Sequence, residues 1–320
     1  MTADHINSFL ASLTGNPEKT RFQFHLKLTY GDYTMDMKQR RRLILLCRQF
    51  LNNLKLLVCE LQQPTEDNPQ LSYQYSELPP NTVFDVPDTG LQSCSDVWKG
   101  RRSVVIGASV SHQACHLTER GGKGFLRSVL WNLDGDPTAA MKYGTRMEPL
   151  AREAYFKARK ALDPSATITF HLGFHINSSF PAGGCSPDGI IRSEINNDIL
   201  IEMKCPFILK NIDPELFESL LTEAQLDRFP IERDHDGVLQ VKKNHKYSYQ
   251  MQQNMGILNL KEAHLVIFSK FGMIHAEVDF DIELYQEIVT KITCIHKKYL
   301  VPEYFEMRVP RDLTPFSLEY

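Results

Sequence analysis

Hydrophobic and polar positions recur with two different periods along the chain. In "MKQRRRLILLCRQFLNNLKLLVCELQ", Leu43, Leu46, Cys47, Phe50, Leu54 and Leu57 fall at three- and four-residue steps, which predicts an amphipathic helix; residues 1 to about 62 read as helical. Pro, Asn, Asp and Ser dominate from Gln63 to Ser93, the composition of a loop or linker. Beyond Asp96, "GRRSVVIGASV" and "HQACHLTE" predict an ordered turn and a short helix. "YGTRMEPLAREAYFKARKAL" keeps helical period through Met147, Leu150, Ala151, Ala154, Ala158 and Leu162. "ATITFHLGFHI" alternates and is rich in β-branched residues, so it predicts one strand. "GIIRS" and "DILIEMK" predict two strands joined by the polar turn "EINND". "PELFESLLTEAQ" and "YSYQMQQNMGILNL" predict helices, "AHLVIFS" and "MIHAEVDF" strands, and "IELYQEIVTKITCIHKKYL" a closing helix. The expected architecture is α/β: a small mixed sheet flanked by helices, with a helical N-terminal extension. The expected division is an accessory region over 1–95 and a second domain over 96–320.

Composition narrows the class. The chain has 320 residues, 42% hydrophobic and 23% charged, as in ordinary globular proteins. It contains no run of eighteen apolar residues, so no membrane association is expected. "MTADHINSFLASLTG" lacks the basic start and apolar core of a signal peptide, and the seven cysteines show no paired spacing. Both features lead us to expect an intracellular protein with reduced thiols. Localisation is expected to be nuclear in a eukaryote or a virus of eukaryotes, with "KQRRR" as a weak import signal, and otherwise cytoplasmic.

Charge changes the picture more than composition does. The net charge of -3 gives no general affinity for nucleic acid, but its distribution is uneven. Lys38 to Arg48 contains five Lys/Arg and no acid, and Lys99 to Arg127 contains six against Glu119 alone. Positive charge gathered in two stretches can track a phosphate backbone; two solvated helix faces would give the same counts.

Candidate chemistry centres on "CSPDGIIRSEINNDILIEMKCP", residues 185–206. If "DILIEMK" is a strand, Ile199, Ile201 and Met203 face one side and Leu200, Glu202 and Lys204 the other. Glu202 and Lys204 then lie about 7 Å apart along one face, at about 3.3 Å per residue. Asp188 opens the partner strand beside a glycine that permits a sharp turn. Two carboxylates converging from adjacent strands suit a hard divalent cation such as Mg²⁺. A lysine beside them could orient or help deprotonate a metal-bound water, the equipment of metal-assisted phosphodiester hydrolysis. An exposed hairpin carrying an ordinary Glu/Lys pair is the simpler alternative.

Asp188 with Glu202-Met203-Lys204 resembles the PD-(D/E)xK nuclease signature. The longer string "CSPDG…IEMKCP" closely resembles the lambda exonuclease-like branch, which includes phage recombination exonucleases and viral alkaline nucleases, the viral recombinases. "YGTRMEPLAREAY" resembles that branch's helix bearing a glutamate, here Glu148, and "YSYQMQ" its helix bearing a glutamine, here Gln250. "WKGRRSVVIGAS" resembles the segment whose arginine and serine hold a 5′ phosphate, here Arg102 and Ser109. Ser186 matches a second phosphate-contacting serine. The resemblance spans about residues 96 to 280 and leaves 1–95 without a counterpart.

It implies a restriction-endonuclease-like core and a Mg²⁺-dependent DNA nuclease, with Mn²⁺ able to substitute. The expected activity is 5′→3′ exonuclease action on duplex DNA with 5′-phosphorylated ends, in recombination, repair or genome processing, often beside a single-strand annealing protein. Asp188, Glu202 and the Met203 carbonyl would hold the metal, Glu148 a second metal or its waters, and Lys204 and Gln250 the attacking water. Arg102, Ser109 and Ser186 would receive the terminal phosphate.

Other readings stay open beside these. Thr145-Arg-Met-Glu has capping-box spacing, which would account for Glu148. Ser109 could cap the helix that follows. Arg102 could be one more surface cation, with Arg101 beside it leaving the register uncertain, and Gln250 could be solvated. Lys123 and Arg127 are candidate backbone contacts. An endonuclease would use the same acids, and a DNA-binding module without catalysis would keep the same fold. His112, Cys115 and His116 lack a fourth zinc ligand, and His171 and His175 fall in a segment that predicts a strand. Cys185 and Cys205 predict free thiols.

Overall fold

A computed structural model describes residues 81–318 except 91, 93, 94, 96, 97, 100, 101, 132–136, 171, 194–196 and 307. The helix expected before residue 62 and the "KQRRR" run lie outside the described residues. The strands are β1 (Val83–Val86), β2 (Ile106–Gly107), β3 (Thr167–Phe170), β4 (Phe174–Asn177), β5 (Gly183–Gly184), β6 (Gly189–Arg192), β7 (Ile199–Lys204), β8 (Ile231–Arg233), β9 (Leu239–Val241), β10 (Glu262–Ser269) and β11 (Gly272–Asp279). The helices that shape the site are α1 (Ser111–Cys115), α2 (Glu119–Val129), α3 (Ala139–Leu162), α4 (Lys246–Leu258) and α5 (Ile282–Ile295).

The main sheet has five strands in the order β11-β10-β7-β6-β3. The β7–β10 pair is parallel and its other neighbours pair antiparallel, so the sheet is mixed, as the sequence predicts. A parallel pair needs a crossover connection, and the crossover from β7 to β10 contains α4. β7 sits in the middle, and both its faces are covered. Ile199, Ile201 and Met203 pack with Met147, Ala151 and Tyr155 of α3. Leu200 packs on the other side with Met251 and Met255 of α4 and with Leu265 and Ile267 of β10. The period-two alternation of "ILIEMK" therefore separates two hydrophobic layers, and it aims Glu202 at α4.

Four predicted segments differ. "ATITFHLGFHI" is two strands rather than one: β3 joins the main sheet, while β4 pairs with β1. The break lies at Gly173, whose φ of +81° is left-handed and where a Cβ would come 2.5 Å from Thr89 Oγ1. The segment read as linker supplies β1 and is pinned, since Thr89 Oγ1 donates to Val86 O and accepts from Phe174 N–H. Residues 78–320 form one compact unit that includes β1. "PELFESLLTEAQ" is interrupted: a 3-10 turn and short helix end at Leu220, and Thr222 with Gln225 builds a capping box that starts Glu223–Arg228 afresh. α3 also begins earlier than its apolar period, because Thr138 caps it by accepting from Met141 N–H. No helix among the described residues is long and apolar enough to cross a membrane.

Candidate active site

The β6–β7 hairpin brings the sequence-predicted acids together. Gly189 pairs with Ile201, so Asp188 lies just beyond the paired end of β6, level with Glu202 and Met203. Its Oδ2 accepts from the Met203 backbone N–H at 2.7 Å. An extended strand sends the N–H and C=O of one residue to the same side, so the Met203 carbonyl is turned toward Asp188 as well. Lys204 donates to Glu202 Oε1 and stands 3.8 Å from Asp188 Oδ2. One ammonium thus bridges two carboxylates.

Glu202 is 1% exposed and hydrogen-bonded on both carboxylate oxygens. Besides Lys204, Gln250 of α4 donates to Oε1, and Asn254 of the same helix donates to Oε2 at 3.2 Å. Gln250 is therefore not a solvated helix residue. Each carboxylate oxygen offers two acceptor sites; Oε1 already takes two donors and Oε2 one among the described residues.

This arrangement leaves negative charge undercompensated. Burial, followed by the Asp188 charge, raises the Glu202 carboxyl to about 8 against the pull of Lys204, and Glu148 adds to the rise. Burial acts against the Lys204 ammonium, but Glu202, then Asp188 and Tyr247, outweigh it and hold Lys204 above its usual value. Its ammonium also lies 5.1 Å from the Tyr247 ring centroid, a cation–π distance. A hydrophobically enclosed pair of acids with one ammonium has room for a further positive charge. Two carboxylates and a backbone carbonyl offer oxygen donors, which match a hard divalent cation, while burial keeps the neighbouring Cys185 and Cys205 thiols protonated. Asp188, Glu202 and Met203 thus fit Mg²⁺ or Mn²⁺.

Glu148, on α3, lies within electrostatic range of these acids. Its charge contributes to raising both Glu202 and the Cys205 thiol, and its carboxylate is paired with Arg152 one turn on. The capping-box account of Glu148 fails, because Thr145 lies inside the helix and its hydroxyl donates to Met141 O. Cys185 and Cys205 are free thiols, the first buried. Burial pushes Cys205 up to about 12 and Cys185 well above its usual value.

The three expected phosphate contacts also converge. Arg102 Nη2 donates to Ser109 Oγ at 2.7 Å. The Arg102 guanidinium lies 4.9 Å from the Trp98 ring centroid, and the Trp98 indole N–H donates to Ser186 Oγ at 2.7 Å. Ser109 does not cap α1; Val110 holds that position without a side-chain bond. Two residues after Ser186 comes Asp188, so this cluster joins directly to the carboxylate pair. His112 and His116 stack on each other with centroids 4.2 Å apart and edge onto Tyr249.

A family model, the YqaJ-like viral recombinase domain, matches residues 97–261. The chain belongs to this family. The matched span carries every residue named above from Trp98 to Asn254, and the family is the viral-recombinase branch to which the sequence motifs point. No curated protein matches the chain. Among solved structures, an alkaline exonuclease from Laribacter hongkongensis shares 19% identity, covering 68% of this chain and 98% of its own, with a TM-score of 0.48. A SOX–DNA complex shares 14% identity over 93% of this chain and 91% of its own, with a TM-score of 0.45. The shutoff and exonuclease protein of Kaposi's sarcoma-associated herpesvirus shares 14% over 95% and 94%, also at 0.45.

Within the recombinase domain, four residues enter the site without having been singled out by sequence: Trp98, Arg152, Tyr247 and Asn254. Asn254 and Tyr247 stand four and three residues from Gln250, so one helical face carries all three. Arg152 stands four residues from Glu148 by the same rule. Nothing in the spacing of Trp98 marks it.

Proposed function

We propose that the protein is a divalent-metal-dependent DNA nuclease, acting as a 5′→3′ exonuclease on duplex DNA. The observation that carries this is the single ammonium of Lys204 set between Asp188 and Glu202, with the Met203 carbonyl turned toward Asp188. Asp188, Glu202 and Met203 would hold Mg²⁺ or Mn²⁺, and Glu148 would serve a second ion or its waters. A bound cation supplies a water acidified toward neutral pH and stabilises charge on the phosphate.

The chain's own groups account for the rest. Lys204 keeps its proton at neutral pH, so it orients the attacking water and neutralises phosphate charge; it does not act as the base. Gln250, held against Glu202, fixes the carboxylate and lines the same pocket. Arg102, Ser109 and Ser186 offer one cation and two hydroxyls to a terminal 5′ phosphate. That set favours end recognition over internal cutting. The N-terminal region expected over 1–95 is proposed as an accessory region only as far as residue 77, because β1 and Thr89 belong to the unit formed by 78–320. A single-strand annealing protein is proposed as a partner in recombination or repair.

Cleavage of linear duplex with 5′-phosphate ends, of the same duplex with 5′-hydroxyl ends and of covalently closed circles tests the proposal. Mg²⁺-dependent digestion is expected to be fastest on the first and absent on circles. Digestion of circles at the same rate would replace the exonuclease reading with an endonuclease.

A further inference from the structure

Three residues beyond Lys204, the chain places an aromatic side chain in the open. Phe207 is 38% exposed and its neighbour Ile208 37%. The Phe207 ring meets the ring of Tyr143 of α3 edge-on, with centroids 5.6 Å apart. Tyr143 is buried, and its hydroxyl has no hydrogen-bond partner among the described residues. Cations stand over both rings: Lys210 Nζ is 4.4 Å from the Phe207 centroid, and Arg146 Cζ is 5.9 Å from that of Tyr143.

The charges found over this pair are cations. The acids that border the two segments are engaged elsewhere: Glu148 by Arg152, Glu202 by Lys204, Gln250 and Asn254, and Asp213 by the Glu215 N–H. An exposed ring flanked by cations, beside the proposed nuclease site, complements a base between two phosphates. Aromatic platforms within a basic groove are the general means of holding a single strand, because every base offers a π-face.

We infer that Phe207, backed by Tyr143, is a stacking platform for one base of the DNA strand running through the site, with Arg146 and Lys210 on the flanking phosphates. Chain length bounds its position. Three residues reach at most about 10–11 Å between Cα atoms, which keeps Phe207 beside the proposed site. The assignment rests on the nuclease reading for its choice of DNA.

The test is equilibrium binding in chelator, without cleavage, of a short 5′-phosphorylated duplex with a single-stranded end bearing 2-aminopurine near the terminus. Phe207→Ala is expected to weaken binding roughly 5- to 100-fold, the span that base–aromatic stacking gives, and to relieve 2-aminopurine quenching. Phe207→Trp is expected to restore both, and Phe207→Leu neither. Phe207→Ala binding as tightly as the wild type, or Phe207→Leu restoring affinity as well as Phe207→Trp, would overturn the platform. So would a loss seen with the matching RNA strand but not with DNA. A wild-type protein that binds this DNA in chelator yet cleaves nothing with Mg²⁺ would defeat the nuclease reading and leave the stacking result intact.

Discussion

Asn254 holds the second carboxylate oxygen of Glu202 through its side-chain amide, at 3.2 Å, one helical turn beyond the Gln250 that holds the first. The strand therefore supplies the acid and α4 fixes its plane. Hydrogen bonds to a charged group contribute about 1.5–3 kcal/mol each. Asn254→Ala should therefore lower the rate of Mg²⁺-dependent cleavage roughly 10- to 100-fold, with a higher Mg²⁺ requirement and unchanged affinity for DNA. Mg²⁺ titrations of cleavage rate, beside binding in chelator, check this.

The raised Glu202 carboxyl predicts a pH dependence with a definite sign. Between the ordinary carboxylate value and about 8, the metal-free folded protein keeps a proton that the unfolded chain has released. Its contribution to stability is full below the ordinary value and is lost as pH rises through about 8. Melting in chelator from pH 5 to 9 should show a decline across that window that Glu202→Gln removes. A divalent cation competes with the same proton, so its stabilising effect should grow over the same range.

Trp98 ties two residues of the proposed phosphate site together, by its ring to Arg102 and by its N–H to Ser186. Trp98→Phe keeps the ring and removes the donor. One neutral hydrogen bond is worth about 1 kcal/mol, so the preference for 5′-phosphate over 5′-hydroxyl ends should fall roughly fivefold. Rates on the two substrates measure it, and Trp98→Ala should erase more of the preference.

The start of α3 gives a pair of substitutions with unequal cost. Thr138 caps the helix, whereas Thr145 lies within it and bonds only to Met141 O. Thr138→Ala should lose about 0.5–2 kcal/mol, and Thr145→Ala less than about 0.5 kcal/mol. Urea denaturation of both variants separates them.

The central strand was legible because its alternation and its acids coincide: "ILIEMK" has a buried residue at nearly every position and its polar pair on one face. β3 and β4 were merged because alternation runs on through Gly173, and what breaks it is Thr89, eighty-four residues away in the chain and invisible to a local window. The leucines over 214–225 keep period and so predict one helix, while Thr222 and Gln225 restart the backbone between them. Gln250, Glu148 and the phosphate set came from motif resemblance. Their partners did not, since spacing shows that Asn254 shares a face with Gln250 but not that this face meets Glu202.

The most direct test of the account is cleavage by Lys204→Ala measured beside its affinity for the same DNA. In the proposed mechanism the bridging ammonium orients water and offsets phosphate charge, so cleavage of 5′-phosphorylated duplex with saturating Mg²⁺ should fall at least about a hundredfold while binding in chelator stays near wild type. Full cleavage by this variant, or cleavage by the wild type that persists undiminished in chelator, would contradict it.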